Sequence, residues 1–207
     1  SLMSLIAFFG ALESGLIYGL VALGVLTSFR TLDFPDLTAD GSFPLGGAVA
    51  GISIIAGVNP WLACAFGMLA GSVAGIVTAW LHVKLGILQL LASILVMVAL
   101  YSINLRIMGA PNVPPLGEST VFSTLVTDGN GYWMRCLIIG VVVIAAMLFL
   151  NWFYSTETGL SMRATGSNLR MAQAQGINTS WMTIIGMAIS NGLIALAGAL
   201  FVQTQGG

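Results

Sequence analysis

Apolar residues run along this chain in long stretches, and polar residues gather in the short intervals between them. Most stretches hold about 20 residues, the length of helix that crosses a hydrocarbon core about 30 Å thick. The pattern predicts six spans, over about residues 2–29, 43–58, 61–82, 85–108, 132–154 and 179–202. Barrel strands would read as short alternating segments instead. The chain is therefore expected to be an all-α, polytopic helical membrane protein, with residues 1–207 forming one transmembrane domain.

Two pairs of tryptophans support these limits. Trp61 and Trp80 are 19 residues apart, as are Trp133 and Trp152. That separation rises about 28 Å in a helix, so each pair suits the two aromatic belts of a bilayer. Composition agrees: 57% of residues are hydrophobic and only 6% are charged, against about a quarter charged in a soluble domain. With a net charge of −1, no global field draws the chain to nucleic acid. Cys64 and Cys136 both fall within apolar runs and read as packing residues, not as a disulfide or metal framework. The opening SLMSLIAFFGALESG lacks a basic leader region and reads as part of the first span. The missing initiator Met suggests residues upstream.

The basic residues set an orientation. Placing Arg163 and Arg170 in the cytoplasm puts Arg30 and Lys84 there too, and leaves Arg106 and Arg135 outside, a four-to-two bias. The proline-rich loop at about 110–131 then faces outward, and its prolines forbid a continuous helix. Small residues recur at four-residue spacing at Gly15/Gly19, Gly47/Gly51, Gly67/Gly71/Gly75 and Ala195/Ala199. In lipid this spacing lets backbones approach closely, within a bundle or between copies.

Candidate chemistry is sparse. The single histidine, His82, lies in a predicted turn beside Lys84. No HExxH, phosphate-cradling GxxxxGK[ST] or intramembrane carboxylate pair is present, so no catalytic, metal or cofactor-binding residue is expected. Glu13 lies 17 residues before Arg30, about 26 Å along a helix, which places it near the outer interface as an interfacial or vestibule carboxylate, with a role in the pathway as the alternative. The segment carrying Asp33, Asp36, Asp40 and Ser42 is less ordinary. Pro35 breaks the helix, Asp40-Gly41 signals a turn, and Ser42 followed by Pro44 resembles a helix N-cap. It reads either as a cytoplasmic loop or as a re-entrant break lining a pathway, since irregular backbone at membrane depth needs protein or a water-filled cavity to satisfy its amides. Gln89, Asn104 and Asn191 are the remaining intramembrane amides. Asn191 falls near mid-membrane, where an interhelical hydrogen bond and a solute path are compatible roles.

Residues 156–178 form a polar island among the apolar spans. Within it Asn168 can cap a short helix, residues 169–175 are helix formers, and Gly176 suits the left-handed position after the last turn. Two turns are too short to be stable alone, so the helix is useful only when pressed against something. Ala172 and Ala174 would permit close approach, and Arg163 and Arg170 could engage a partner's carboxylates or carbonyls. An ordinary cytoplasmic loop is the plainer alternative.

The pattern GLxxRAxGxNxxxAxxxGIN over residues 159–178 resembles the cytoplasmic coupling loop of ABC importer permeases in the branched-chain amino acid and ribose permease superfamily. The stretch SGLIYGLVALGVLTSFRTLDFPDLTADGSFPLGGAVA, residues 14–50, is similar to that superfamily's first conserved block. Its LDFPDLTADGSF resembles the tryptophan/tyrosine-type branch. The resemblance implies a multi-pass permease of the bacterial inner membrane for a small solute, an aromatic or branched-chain amino acid or a related compound. It implies cytoplasmic ATP-binding subunits, an external solute-binding protein and a second permease copy as partners. It assigns ATPase coupling to Arg163, Ala164, Gly166, Asn168, Arg170, Ala172 and Gly176, with Asp33, Asp36, Asp40, Ser42, Asn104 and Asn191 lining or gating the path. An aspartate at position 172 is expected to preserve folding yet lower ATPase stimulation. Such permeases have eight or more spans, so six imply a fragment. A transporter or channel driven by an ion gradient is the competing reading, although apart from Glu13 the span interiors lack the carboxylates it needs.

Overall fold

The computed structural model describes residues 2–31, 34, 38–56, 59–108 and 131–206. Their elements, in order, are α1 (Leu2–Leu26), a π-helical turn (Thr27–Thr31), α2 (Ala39–Ile55), α3 (Pro60–Leu85), α4 (Gln89–Met108), α5 (Gly131–Ser155), α6 (Glu157–Ser167), α7 (Leu169–Ala174) and α8 (Thr179–Gly206). No strand occurs among the described residues. Five of the helices are long and apolar enough to cross a membrane, and the apolar part of α2 is shorter, at Gly41–Ile55. Each expected span corresponds to a helix. Residues 57–58 and 109–130, including most of the expected outer loop, lie outside the described residues, as do Asp33 and Asp36.

Local chemistry sets the helix limits. Asn59 accepts a hydrogen bond from the Trp61 N–H at 2.9 Å and Pro60 opens α3, where its missing N–H costs nothing. Gly86 ends α3 in the left-handed region at φ 73°. At the junction of α1 and the π turn, the Thr27 hydroxyl donates back to the Leu23 carbonyl at 3.1 Å, a bond that competes with the backbone ladder.

The centre of the bundle is α8, whose apolar window is 67% buried against 17% for α1. Its neighbours α2 and α3 approach it through glycines. A methyl group built on Gly46 would collide with the Ala195 backbone, one on Gly75 with the Met187 carbonyl, and one on Gly198 with the Phe43 carbonyl. As α3 advances from Gly71 to Gly75, its partner on α8 retreats from Asn191 to Met187, so these helices are antiparallel. Ser42 meets Asn191 and Gly46 meets Ala195, a constant separation of 149 residues, so α2 and α8 run parallel. The expected small-residue spacing at Gly67, Gly71 and Gly75 is thus an internal seam, where close backbones gain dispersion contacts that lipid cannot supply.

A second parallel pair closes the other side. The Cys136 thiol meets the Phe9 carbonyl at 3.1 Å and the Thr27 hydroxyl meets the Tyr154 hydroxyl at 2.7 Å, both 127 residues apart in sequence. Two bonds of equal offset fix α1 and α5 parallel and in register. The alternation inferred from the basic residues requires this same direction for both helices. The end of the bundle that carries Lys84, α6, α7 and the start of α8 is called the basic end below.

Candidate functional site

The start of α2 lies inside the bundle. Ser42, in the first turn of α2, stands opposite Asn191, which is 12 residues into α8, or about 18 Å from that helix's basic end. Thr38 stands opposite Thr78, seven residues before the end of α3, with their hydroxyls 2.8 Å apart. Of the two alternatives for this segment, loop or re-entrant break, the depth of α2's start matches the break. Phe34 between them is fully buried, and its N–H donates to the Ser28 carbonyl at 2.8 Å.

Ser42 differs from its expected role. Helix α2 begins earlier, at Ala39, with Thr38 in the cap position at φ −58° and ψ −25° and no side-chain cap bond. Ser42 is therefore already helical, and its hydroxyl is free to donate to Asn191 Oδ1 at 2.6 Å. Asn191 in turn donates through Nδ2 to the Met187 carbonyl at 3.1 Å. The expected interhelical hydrogen bond is present and joins the start of α2 to the middle of α8. Pro44 remains inside α2, where its lack of an N–H leaves the Asp40 carbonyl without the usual helical donor. Asp40 lies in the first turn of α2, while its side chain is outside the description.

Asn104 joins the same region from α4. Its Nδ2 donates to the Gly41 carbonyl at 3.4 Å, and Leu100 packs where a side chain on Gly41 would stand. The Gly41 carbonyl fixes which way the amide faces and leaves Oδ1 over. That oxygen is buried and has no hydrogen-bond partner among the described residues, a condition that costs about 1–3 kcal/mol in a protein interior. Ser42, Asn104 and Asn191 thus converge around the first two turns of α2.

At the basic end the polar island folds as two helices where one was expected. Helix α6 was the missed element, although its signals are in the sequence: Thr156 accepts from the Gly159 N–H at 3.1 Å as an N-cap, and Glu157 occupies the first turn. Gly159 lies against the backbone of Phe153 and Tyr154, so α6 folds back tightly on the end of α5. The expected short helix is α7. Asn168 Oδ1 accepts from the Met171 N–H at 3.0 Å, and Gly176 adopts φ 86°.

The residues assigned to coupling divide by exposure. Arg163, Asn168, Arg170 and Gly176 are exposed, Ala164 and Gly166 are half-buried, and Ala172 is buried at 2% exposure. Ala172 therefore faces into the fold, and its carbonyl accepts the Ile177 N–H that closes the end of α7. An aspartate there would place a carboxylate in a closed turn, so the expectation that such a variant preserves folding is withdrawn. Met171, at 60% exposure, and Leu169 are large apolar residues of α7 that are exposed.

Between α7 and the bundle lies a cavity of about 440 Å³, lined by His82, Gln89, Thr165, Gly166, Gln173 and Thr183 among others. Two bonds border it: His82 Nδ1 to the Ile87 carbonyl at 2.8 Å, and Gln173 Nε2 to the Thr179 hydroxyl at 3.2 Å. Packing bypasses this cavity through Met162 of α6, which is fully buried with Phe34, Ala79 and Met187 in a cluster separate from the main core. Neither Phe34 nor Met162 was singled out from the sequence. Their signal was weak: one aromatic among aspartates, and one methionine in a polar helix.

Comparison with known proteins agrees with this architecture. A family profile described as branched-chain amino acid transport system, permease component, matches residues 7–207. The chain is 39% identical over 195 residues to the tyrosine transport system permease protein of Clostridioides difficile, covering 94% of this chain and 64% of that protein. It is 25% identical over 210 residues to the probable branched-chain amino acid transport permease protein LivH of Methanocaldococcus jannaschii, covering 94% and 66%. With the autoinducer 2 import system permease protein LsrC of Salmonella typhimurium it shares 26% identity over 203 residues, covering 94% and 54%. No solved structure matches the chain. The chain thus spans about two thirds of the length of its tyrosine-permease relative. The residues carrying the resemblance, 14–50 and 159–178, fall inside the matched region, and this multi-pass membrane protein belongs to the branched-chain amino acid transport system permease family.

Proposed function

We propose that the chain is the membrane-spanning part of an ATP-driven importer for an amino acid, aromatic or branched-chain. ATP hydrolysis belongs to separate cytoplasmic subunits, solute arrives from an external binding protein, and a second copy of the permease completes the pathway. The substrate class is supported by the printed names of the tyrosine and branched-chain relatives. The second copy is supported by the low burial of α1 and α4, 17% and 28% over their apolar windows, which leaves broad faces for lipid or another helix.

The observation that carries this reading is the capped α6–α7 segment at the basic end. It presents Arg163, Arg170 and Met171 to solvent, and neither arginine has an ion-pair partner among the described residues. Arg163, Ala164, Gly166, Asn168, Arg170, Ala172 and Gly176 are the coupling residues in this reading. Exposed Arg163, Asn168 and Arg170 touch the ATPase, while buried Ala172 anchors α7 and Gly176 supplies the left-handed turn that ends it. Asp33, Asp36, Asp40, Ser42, Asn104 and Asn191 gate the path where α2 begins. Their support is the depth of that break and the leftover acceptor on Asn104.

Charge reversal tests the assignment. Arg163→Glu with Arg170→Glu is expected to leave the Tm of the purified permease unchanged, because both side chains are exposed. Loss of even one charge-assisted bond should weaken ATPase association about tenfold. Native co-purification and native solute-stimulated ATP hydrolysis in that variant would remove the coupling role.

A further inference from the structure

We infer that Phe34 and Met162 are positioning residues that carry movement of α6 to the start of α2, and so link the coupling segment to the gate. The inference rests on the coupling reading above and adds to it a physical route.

The geometry begins with how loosely the coupling segment is joined to the bundle. A cavity of about 440 Å³ separates α7 from the ends of α3, α4 and α8. The covalent link from α7 to α8 passes through Gly176 at φ 86°, a residue whose backbone has more freedom than any other. A soft hinge beside a polar cavity transmits displacement less directly than a packed contact does. Met162 is the opposite case. It has 0% exposure and packs with Phe34, Ala79 and Met187, each also at 0%. Close-packed side chains cannot yield without opening a void, so movement of α6 must move Phe34 or break the cluster.

Phe34 is then tied on both sides. Its N–H bonds to the Ser28 carbonyl in the π turn at 2.8 Å, and its ring stands edge-on to His82 with centroids 5.5 Å apart. Four residues further along the chain, the Thr38 hydroxyl is 2.8 Å from that of Thr78, and four residues beyond that Ser42 bonds Asn191 at 2.6 Å. The cluster also reaches the start of α2 through its other members: Ala79 adjoins Thr78, which meets Thr38, and the Met187 carbonyl accepts from Asn191, which accepts from Ser42. The Thr38–Thr78 hydroxyl contact and the Ser42–Asn191 bond supply discrete links that can break and re-form, as a two-state element requires.

The test uses the permease reconstituted in liposomes with its ATP-binding subunit and binding protein, and radiolabelled L-tyrosine as the probe. Phe34→Ala and Met162→Ala should keep ATPase association and basal hydrolysis, while solute moved per ATP falls about fivefold or more, the lower end of typical coupling. Phe34→Leu and Met162→Val, milder truncations that preserve folding should the alanines not, should show a smaller loss in the same ratio. The exchange Phe34→Met with Met162→Phe restores the shared volume and should recover at least about half of the native ratio. A native ratio in the folded truncation variants, or failure of the exchange to recover any of it, overturns the inference. The coupling reading has its own arm. If Arg163→Glu with Arg170→Glu abolishes stimulation while the truncations keep the native ratio, only the Phe34–Met162 route is refuted. If the charge reversals leave stimulation intact, both fall together.

Discussion

Where α2, α3 and α8 meet, Gly46, Gly71, Gly75 and Gly198 bring one backbone against another with no room for a methyl group. At the basic end, α6 is joined to α3 and α8 by the side chain of Met162, and a cavity separates α7 from them. The first region is fixed by main chain and the second by side chains. Backbone-to-backbone contact holds helices at one separation, whereas helices joined through a packed side-chain cluster can shift together with that cluster. The contrast suits a transporter in which one part must hold its shape and another must move. The start of α2 belongs to both: Ser42 is bonded to the fixed seam, and Phe34 is buried in the side-chain cluster.

The largest effect should come from the seam. Gly46→Ala puts a methyl group into the Ala195 backbone, and overpacking of this kind costs about 1–3 kcal/mol. Gly10→Ala is the same chemical change in α1 at a position with nothing within 4 Å. There the alanine should stabilise the helix by about 0.5–1 kcal/mol. Thermal unfolding of both variants in one detergent should give Tm shifts of opposite sign. Equal shifts would mean that the seam tolerates separation and that the two regions do not differ as described.

The seam and the start of α2 were unequally legible in the sequence. GxxxG spacing at Gly67, Gly71 and Gly75 is a periodic signal over two turns, and so are the long apolar runs; local pattern suffices for both. Asn168 and Gly176 were equally readable, because a cap and a left-handed turn depend on residues within a few positions. The start of α2 was not. Ser42 carries the chemistry of an N-cap, but its partner, Asn191, is 149 residues away, and no local rule anticipates that bond. Burial of Ala172 and Met162 was hidden for the same reason, since a polar segment with weak periodicity does not declare which face it buries. The resemblance pointed to the α6–α7 segment and said nothing of Met162.

A middle-sized effect is expected within the coupling segment itself. Asn168→Ala removes the bond to the Met171 N–H, and loss of such a cap costs about 1 kcal/mol. Helix α7 has only six residues, so it should unravel locally while the seam stays intact. Amide exchange should rise about fivefold across α7 and remain native in α3 and α8. A rise spread equally over α7 and the seam would show that the basic end is not an independent unit.

The smallest change in stability should come from Asn104, and there the sign matters more than the size. Asn104→Leu removes a 3.4 Å bond to the Gly41 carbonyl, and interhelical bonds in membranes contribute about 0.6 kcal/mol. It also removes a buried acceptor with no partner, whose burial costs about 1–3 kcal/mol. The leucine fills a similar volume, so the variant should be as stable as the native chain or slightly more so. A residue kept at a cost to the fold is expected to serve transport, and uptake should fall even as Tm holds or rises. A clear drop in Tm with unchanged uptake would make Asn104 a structural tie and return it to the fixed half of the molecule. A steady Tm with reduced uptake would place it with Phe34 among the residues that move.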